Sequence, residues 1–368
     1  MNFNKVLDNV PIYEAGKPIE LVVREYGVNP KDIIKLASNE NPYGTSPKVV
    51  SKIKEIVQSM SVYPDDSMYE LKEALANKFD VESSNIIIGS GSDQILEFCV
   101  HAKCDKNSKV LMSKTTFAMY EIYGKQAGST IIKTEDGEHN LKQFSSMYKE
   151  YGADIIFLCL PNNPLGECLD RDDVYAFLET INKDTLVIID GAYQEYGAFK
   201  DEKKRINPKE LINSFPNCIY LGTFSKAYAL GGMRVGYGIA QEDIIKTLYK
   251  LRAPFNITTL TLAAAIEALK DEEFVQDCIA KNFEEMKRYE QYAREKGFDY
   301  IDSYTNFITL KFASLYSSKK VAQELLERGL IVRDLTGYGI NAIRITIGSN
   351  DQNTKVFKLL DEVLEKLK

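Results

Sequence analysis

Lys226 stands in YLGTFSKAYALGGMRVGYG, residues 220–238, directly after an apolar run and a Thr-Phe-Ser turn. Burying a lysine is costly, and loss of water depresses its pKa toward the neutral amine, the form that attacks a carbonyl. Eight residues on, Arg234 follows the pair Gly231-Gly232, whose missing Cβ atoms let the chain turn tightly. Its guanidinium could meet a phosphate through two parallel hydrogen bonds. An amine beside an anion grip suits a carbonyl ligand that carries a phosphate. The plainer alternative makes both residues surface cations around a loop.

Asp190 closes the apolar run of TLVIIDGAYQEYG, residues 185–197. A carboxylate at the end of a buried strand needs a partner, because burying a lone charge is expensive. A protonated ring nitrogen would serve, and Tyr193 could then reach a phenolic oxygen on the same ring. Alternatively Asp190 caps the segment that follows. In NIIIGSGSDQILEF, residues 85–98, a strand opens through Gly89-Ser90-Gly91-Ser92 into a helix starting near Asp93, whose free amides form an anion site. A dinucleotide fingerprint is weak here, since Gln94 occupies the place of its third glycine. Asn163, in LCLPNNPLGE, precedes Pro164, which biases it to extended geometry and aims its amide at a ligand hydroxyl. A plain turn is the other reading.

These residues share one kind of place, the end of a strand. NIIIG, KVLMS, STIIK, DIIFLCL, TLVIID, CIYLGT and VGYGIA read as seven buried strands, and ELKEALANKF, QILEFCVHA, AMYEIYGKQA and RDDVYAFLETI as helices among them. The alternation predicts an α/β chain with a mainly parallel seven-stranded sheet covered on both faces, over residues 38–246. Such sheets bind ligands beyond the carboxyl ends of their strands. From 247 to 368 the pattern changes: one long helical run from about Thr259 to Lys296, strand NFITLKF, helix KKVAQELLERG, strands LIVRDL and AIRITIG, and a terminal helix. This predicts a smaller α/β C-terminal domain, with residues 1–37 as an N-terminal arm.

Composition narrows the chemistry further. The 368 residues are 44% hydrophobic and 27% charged, and none of the apolar runs approaches the roughly 20 residues of a membrane span. The formal charge of −7 argues against a nucleic-acid partner, which needs a basic stripe. Cys99, Cys104, Cys159, Cys168, Cys218 and Cys278 are scattered without metal-ligand spacing and read as reduced thiols. The start, MNFNKVLDNVPIYEAG, does not read as a secretion signal, which favours the cytoplasm. His101 and His139 are the only histidines and lie in no recognisable motif, so both read as surface or packing residues.

In their order, LASNENPYG, VYPDD, GSGSD, PNNPLG, IIDGAYQEY, TFSKAYALGGMR, LIVRDL and AIRITIG make the chain resemble the fold-type-I pyridoxal-5′-phosphate (PLP) aminotransferases, specifically their histidinol-phosphate branch. The resemblance covers nearly the whole length. It implies PLP as cofactor, with Lys226 as Schiff-base lysine and proton shuttle and Asp190 on the pyridinium nitrogen. Asn163 and Tyr193 would hold the ring hydroxyl. Ser92, Asp93, Ser225 and Arg234 would form the phosphate cup, and Phe117 would stack on the ring. Tyr63 matches a tyrosine that reaches the cofactor phosphate of the neighbouring subunit, which implies a homodimer. Arg333 and Arg344 would grip the acidic ends of the substrates, with Tyr13 and Asn39 in the same pocket. Tyrosine is also usual at position 117, and Leu165 stands where threonine is more typical.

The implied reaction moves an amino group between L-histidinol phosphate and 2-oxoglutarate, a step of histidine biosynthesis. Rival activities with the same catalytic groups are aromatic amino-acid transamination and decarboxylation of a phosphorylated amino acid. A transcriptional regulator with a PLP-binding sensor would need a separate DNA-binding module, for which the chain leaves little room.

Overall fold

The computed structural model describes residues 1, 3–13 and 19–368. After a short strand β1 (Ile34–Lys35), seven strands follow in chain order: β2 (Ile86–Gly89), β3 (Lys109–Met112), β4 (Thr130–Lys133), β5 (Ile155–Cys159), β6 (Leu186–Asp190), β7 (Cys218–Thr223) and β8 (Gly236–Ala240). They form one sheet in the order β2-β8-β7-β6-β5-β3-β4, in which only β8 runs antiparallel to its neighbours. Each expected strand of the large sheet is present.

The run IIFLC of β5 is buried at every position. Successive side chains of a strand point to opposite faces, so such a run feeds two cores at once. Ile156 and Leu158 join one core, packed by helices Tyr69–Phe79, Leu141–Tyr151 and Arg171–Leu178. Ile155 and Phe157 join the other, under helices Gly91–Lys103, Ala118–Gln126 and Glu242–Leu248. A parallel sheet covered on both faces is the arrangement that continuous apolar strands demand.

The C-terminal part builds an antiparallel sheet, β12-β13-β10-β9, from β9 (Asp299–Tyr300), β10 (Phe307–Lys311), β12 (Arg333–Asp334) and β13 (Ala342–Thr346). Strand β11 (Leu330–Ile331) instead pairs in parallel with β1, drawing the N-terminal segment into this region. Residues 19–37 thus lie with the C-terminal part, where Val22, Ala37 and Ile331 pack together. Lys5–Asn9 rest against helix Ala118–Gln126 of the large sheet.

Two expectations need correction. LIVRDL is not one strand: fully buried Leu330 and Ile331 belong to β11, while half-buried Arg333 and Asp334 turn into another sheet. The run from Thr259 is two helices, Thr259–Leu269 and Glu272–Lys296. Asp271 breaks it, its carboxylate taken by Ser46 Oγ at 2.5 Å and Lys48 Nζ at 2.6 Å. Helix Thr259–Leu269 and Val275 and Ile279 pack into the large sheet's core, and the second core takes up from Met286. A division at 246/247 falls inside helix Glu242–Leu248.

Candidate active site

A cleft of about 330 Å³ opens where β5, β6 and β7 end, and Cys159, Asp190 and Thr223 at those three ends all line it. Thirteen of the fourteen site residues named from the sequence lie on its wall; the exception is Tyr63. The site is where the topology of an open α/β sheet places one.

Lys226 donates from Nζ to the Ser38 carbonyl at 3.0 Å and lies 5.8 Å from the Tyr193 ring centre. Burial, and then the nearby Arg344 guanidinium, pull its amine down to about 8. Asp190 is 4% exposed. Its Oδ2 accepts from the Tyr120 hydroxyl at 2.7 Å and its Oδ1 from the Ala192 amide at 3.1 Å. Burial raises its pKa against the pull of those two donors. It caps no helix, since the next one, Gln194–Lys200, starts from Tyr193. A carboxylate this deep, with no cation bonded to it among the described residues, suits a positively charged ring nitrogen.

The anion seat is cut to backbone dimensions. Gly91 opens helix Gly91–Lys103 at φ +76°, and a Cβ there would come 2.6 Å from Arg234 Nη2. At Gly236 a Cβ would lie 2.2 Å from the Ser92 nitrogen. The absent side chain at Gly91 leaves room for the Arg234 guanidinium beside the helix start, and that at Gly236 lets β8 pass close to Ser92. Arg234, itself left-handed at φ 54°, donates from Nη1 to Ser225 Oγ at 3.3 Å and to the Gly231 carbonyl at 3.1 Å. Asp93 turns Oδ2 to the Tyr123 hydroxyl at 2.9 Å. A phosphorylated pyridine aldehyde fits these residues: the helix start and Arg234 for its phosphate, Lys226 for its carbonyl and Asp190 for its ring nitrogen.

At the mouth, Arg344 donates from Nη1 to Asn163 Oδ1 and from Nη2 to the Ala37 carbonyl at 2.7 Å, while its buried Nε has no hydrogen-bond partner among the described residues. With its oxygen so engaged, Asn163 keeps its NH₂ for the cleft. Asn39 donates to the Tyr193 hydroxyl at 2.7 Å, and its backbone amide to Thr346 Oγ1 at 3.0 Å. In the antiparallel pair β12–β13, Arg333 stands directly opposite Arg344. Opposed residues share a face with Cβ atoms about 5 Å apart, and like charges there are destabilising. Burial and Arg333 both push the Arg344 pKa down. Both arginines line the cleft, so its wall carries two guanidinium-bearing side chains that an anionic ligand could meet.

Sequence reasoning missed Tyr120 and Tyr338. Tyr120 sits on helix Ala118–Gln126, stacked on Phe157 at 4.3 Å and edge-on to Phe117 at 5.6 Å. The signal was its place three residues after Phe117, since a buried tyrosine seeks a polar partner for its hydroxyl. Tyr338 lines the cleft from the loop joining β12 to β13, and burial raises its pKa against the pull of Arg333 and Arg344. A tyrosine between two arginine-bearing strands was the clue.

Tyr63 does not line its own chain's cleft. It is 78% exposed and stacks on Phe255 at 4.6 Å, beside exposed Met60 and Val62. The loop is pinned by Asp66, which takes Arg252 in two parallel bonds of 2.7 and 2.8 Å and the Phe255 amide at 2.6 Å.

Fold and site together define an aminotransferase, and the sequence model of aminotransferase class I and II matches residues 31–360. Histidinol-phosphate aminotransferase of Aliarcobacter butzleri is 75% identical over 100% of both chains. That of Wolinella succinogenes is 62% identical over 99% of both. Among solved structures, histidinol-phosphate aminotransferase from Sinorhizobium meliloti, in complex with pyridoxal-5′-phosphate, superposes with a TM-score of 0.91 at 24% identity, covering 100% of this chain and 98% of that one. The chain belongs to the class I and II aminotransferases, on their histidinol-phosphate aminotransferase branch.

Proposed function

We propose that this chain transfers an amino group between L-histidinol phosphate and 2-oxoglutarate, with PLP held in the strand-end cleft. The opposition of Arg333 and Arg344 across β12–β13 carries the substrate reading. Two forked cations on one face can take a phosphate monoester in one half-reaction and a dicarboxylate in the other. The full-length relatives at 75% and 62% identity support the same assignment.

Bound PLP supplies an electron-withdrawing ring that takes up the charge left when the substrate α-carbon loses its proton. The protein's part is positioning and proton movement. Lys226 Nζ, drawn down to about 8 and so partly neutral near neutral pH, would hold the cofactor at its carbonyl and would move the α-proton as general base and acid. Asp190, held by Tyr120 and Ala192, keeps the ring nitrogen protonated. Asn163 and Tyr193 take the ring hydroxyl, with Tyr193 fixed by Asn39. Phe117 would cover the ring, and the amides at Ser92 and Asp93 would join Ser225 and Arg234 in holding the phosphate. Tyr13 borders the arginines on the substrate side.

The working unit we propose is a homodimer in which Tyr63 reaches the partner's phosphate seat, supported by its exposure and by the pinned loop that presents it. A cytoplasmic setting is supported by six unpaired cysteines. No helix among the described residues is long and apolar enough to cross a membrane.

Half-reaction kinetics on the purified protein test the assignment. Histidinol phosphate should be the best amino donor, with one glutamate formed per 2-oxoglutarate consumed. Equal or better kcat/KM for phenylalanine or tyrosine would replace it by aromatic transamination, and release of carbon dioxide by a decarboxylase.

A further inference from the structure

We propose that His139, Glu167, Asn162 and Thr116 are positioning residues that jointly set where Phe117 and Asn163 face the cofactor. This rests on the PLP reading above. None of the four lines the cleft, whereas Phe117 and Asn163, the direct neighbours of Thr116 and Asn162, both do.

The need for such a device lies in the sheet. Strands β3 and β5 pair only at Val110–Ile155 and Leu111–Ile156, which leaves the last three residues of β5, Phe157–Cys159, unpaired on that side. Beyond that point the Cys159 amide, at the end of β5, donates to His139 Nε2 at 3.2 Å. An amide can only donate, so Nε2 must carry no hydrogen and the ring proton sits on Nδ1, which faces Glu167 Oε1 at 3.2 Å. The same oxygen accepts the His139 amide at 3.1 Å and Asn162 Nδ2 at 2.7 Å. Asn162, fully buried, also donates to the Thr115 carbonyl at 3.0 Å and accepts from Thr116 Oγ1 at 2.9 Å.

The network bridges the gap between two strand ends no longer paired with each other and finishes one residue short of a ring-facing side chain on each. The His139 side chain is 1% exposed and its ring lies 5.8 Å from that of Phe144, so the imidazole has little freedom. The Glu167 side chain is 14% exposed and its Oε2 is buried without a hydrogen-bond partner among the described residues, so the carboxylate costs stability that apolar residues filling this volume would not. Glu167 Oε1 answers three donors at once, which apolar packing could not do. Fixing direction at both ends of the gap is what the carboxylate contributes.

The network predicts a graded series. Glu167→Ala removes the shared acceptor, Glu167→Gln keeps an oxygen in its place, and Thr116→Val deletes one link with little change in volume. The PLP dissociation constant and the circular dichroism of the bound cofactor's absorption band are measured for each; the dichroism reports how the ring is oriented. Glu167→Ala should weaken PLP about fivefold or more, in line with one lost hydrogen bond, and change the dichroism per bound cofactor. Thr116→Val should do so more mildly, and Glu167→Gln should stay within about twofold of the parent. Parental affinity and dichroism in Glu167→Ala and Thr116→Val would overturn the network while leaving the cofactor assignment intact. If Glu167→Ala does not fold, Thr116→Val decides by the same readings. Absence of PLP uptake by the unsubstituted protein would instead overturn the assignment and this inference with it.

Discussion

Lys226 should capture PLP with an apparent pKa near 8, where a solvent-exposed lysine would show 10.5. At pH 7.5 a group titrating at 8 is neutral in about one molecule in four, and one titrating at 10.5 in about one in a thousand, so burial and Arg344 raise the reactive fraction roughly 200-fold. Cofactor-stripped protein mixed rapidly with PLP between pH 6 and 10.5 gives the rate from the change in absorbance, and borohydride reduction followed by peptide mapping confirms attachment at Lys226. The logarithm of the rate should climb and level off near pH 8. The same shift acts on stability. Below pH 8 the amine is protonated folded and unfolded alike, and its buried charge costs the fold about 3 kcal/mol at ~1.36 kcal/mol per unit. From pH 8 to 10.5 the folded amine is already neutral while the unfolded one is still charged, so the cost fades. Lys226→Met in the stripped protein should therefore gain stability relative to the parent at pH 7, by an amount that shrinks by about 3 kcal/mol as the pH approaches 10.5. A rate still climbing at pH 10, together with a pH-independent stability difference, would refute the claim that the fold depresses this amine.

Mixing Tyr63→Phe with Lys226→Ala subunits should yield heterodimers with one site free of both lesions and hence activity above either parent; proven exchange without that gain would place Tyr63 in its own chain's chemistry. Arg333→Leu should lower kcat/KM for histidinol phosphate relative to phenylalanine by about 1.5–3 kcal/mol, the value of a charged hydrogen bond, and Arg333→Lys should recover only part, lacking the fork. An unchanged ratio would count against the two-arginine grip. Tyr120→Phe strips Asp190 Oδ2 of its donor and should weaken PLP about tenfold with little change in the KM of the amino donor, read by cofactor titration beside steady-state kinetics.

The strand-end rule made most of the site legible. Asp190 ends an apolar strand and Lys226 and Asn163 follow within a few residues of theirs, and a parallel sheet sends such ends to one edge. Features set by pairing between distant segments were not legible. That Arg333 faces Arg344 depends on β12 joining β13 while β11 leaves for β1, a choice LIVRDL does not record. Tyr120 comes to the site from a helix face, and the link from its hydroxyl to Asp190 spans 70 residues of chain. His139 read as a surface or packing residue because it belongs to no motif; its partners, Cys159 and Glu167, lie 20 and 28 residues away. The break at Asp271 has the same origin, a carboxylate claimed by Ser46 and Lys48 more than 220 residues earlier.

The stretch from β1 to Asn39 behaves as a tie-rod. One end is woven into the C-terminal region, through β1 on β11, through the Leu36 carbonyl that receives the Thr346 amide at 2.8 Å, and through Ala37 under Arg344. The other end holds the catalytic amine at the Ser38 carbonyl and the Tyr193 hydroxyl through Asn39. Three residues, Leu36, Ala37 and Ser38, separate the anchor at Lys35 from the grip at Asn39, a length with no slack to take up a slide of one core past the other. Any such slide would be delivered to Lys226 and Tyr193 as a change of reach, so the arginines proposed to clasp a substrate and the amine proposed to react with it are geared to each other by the chain itself.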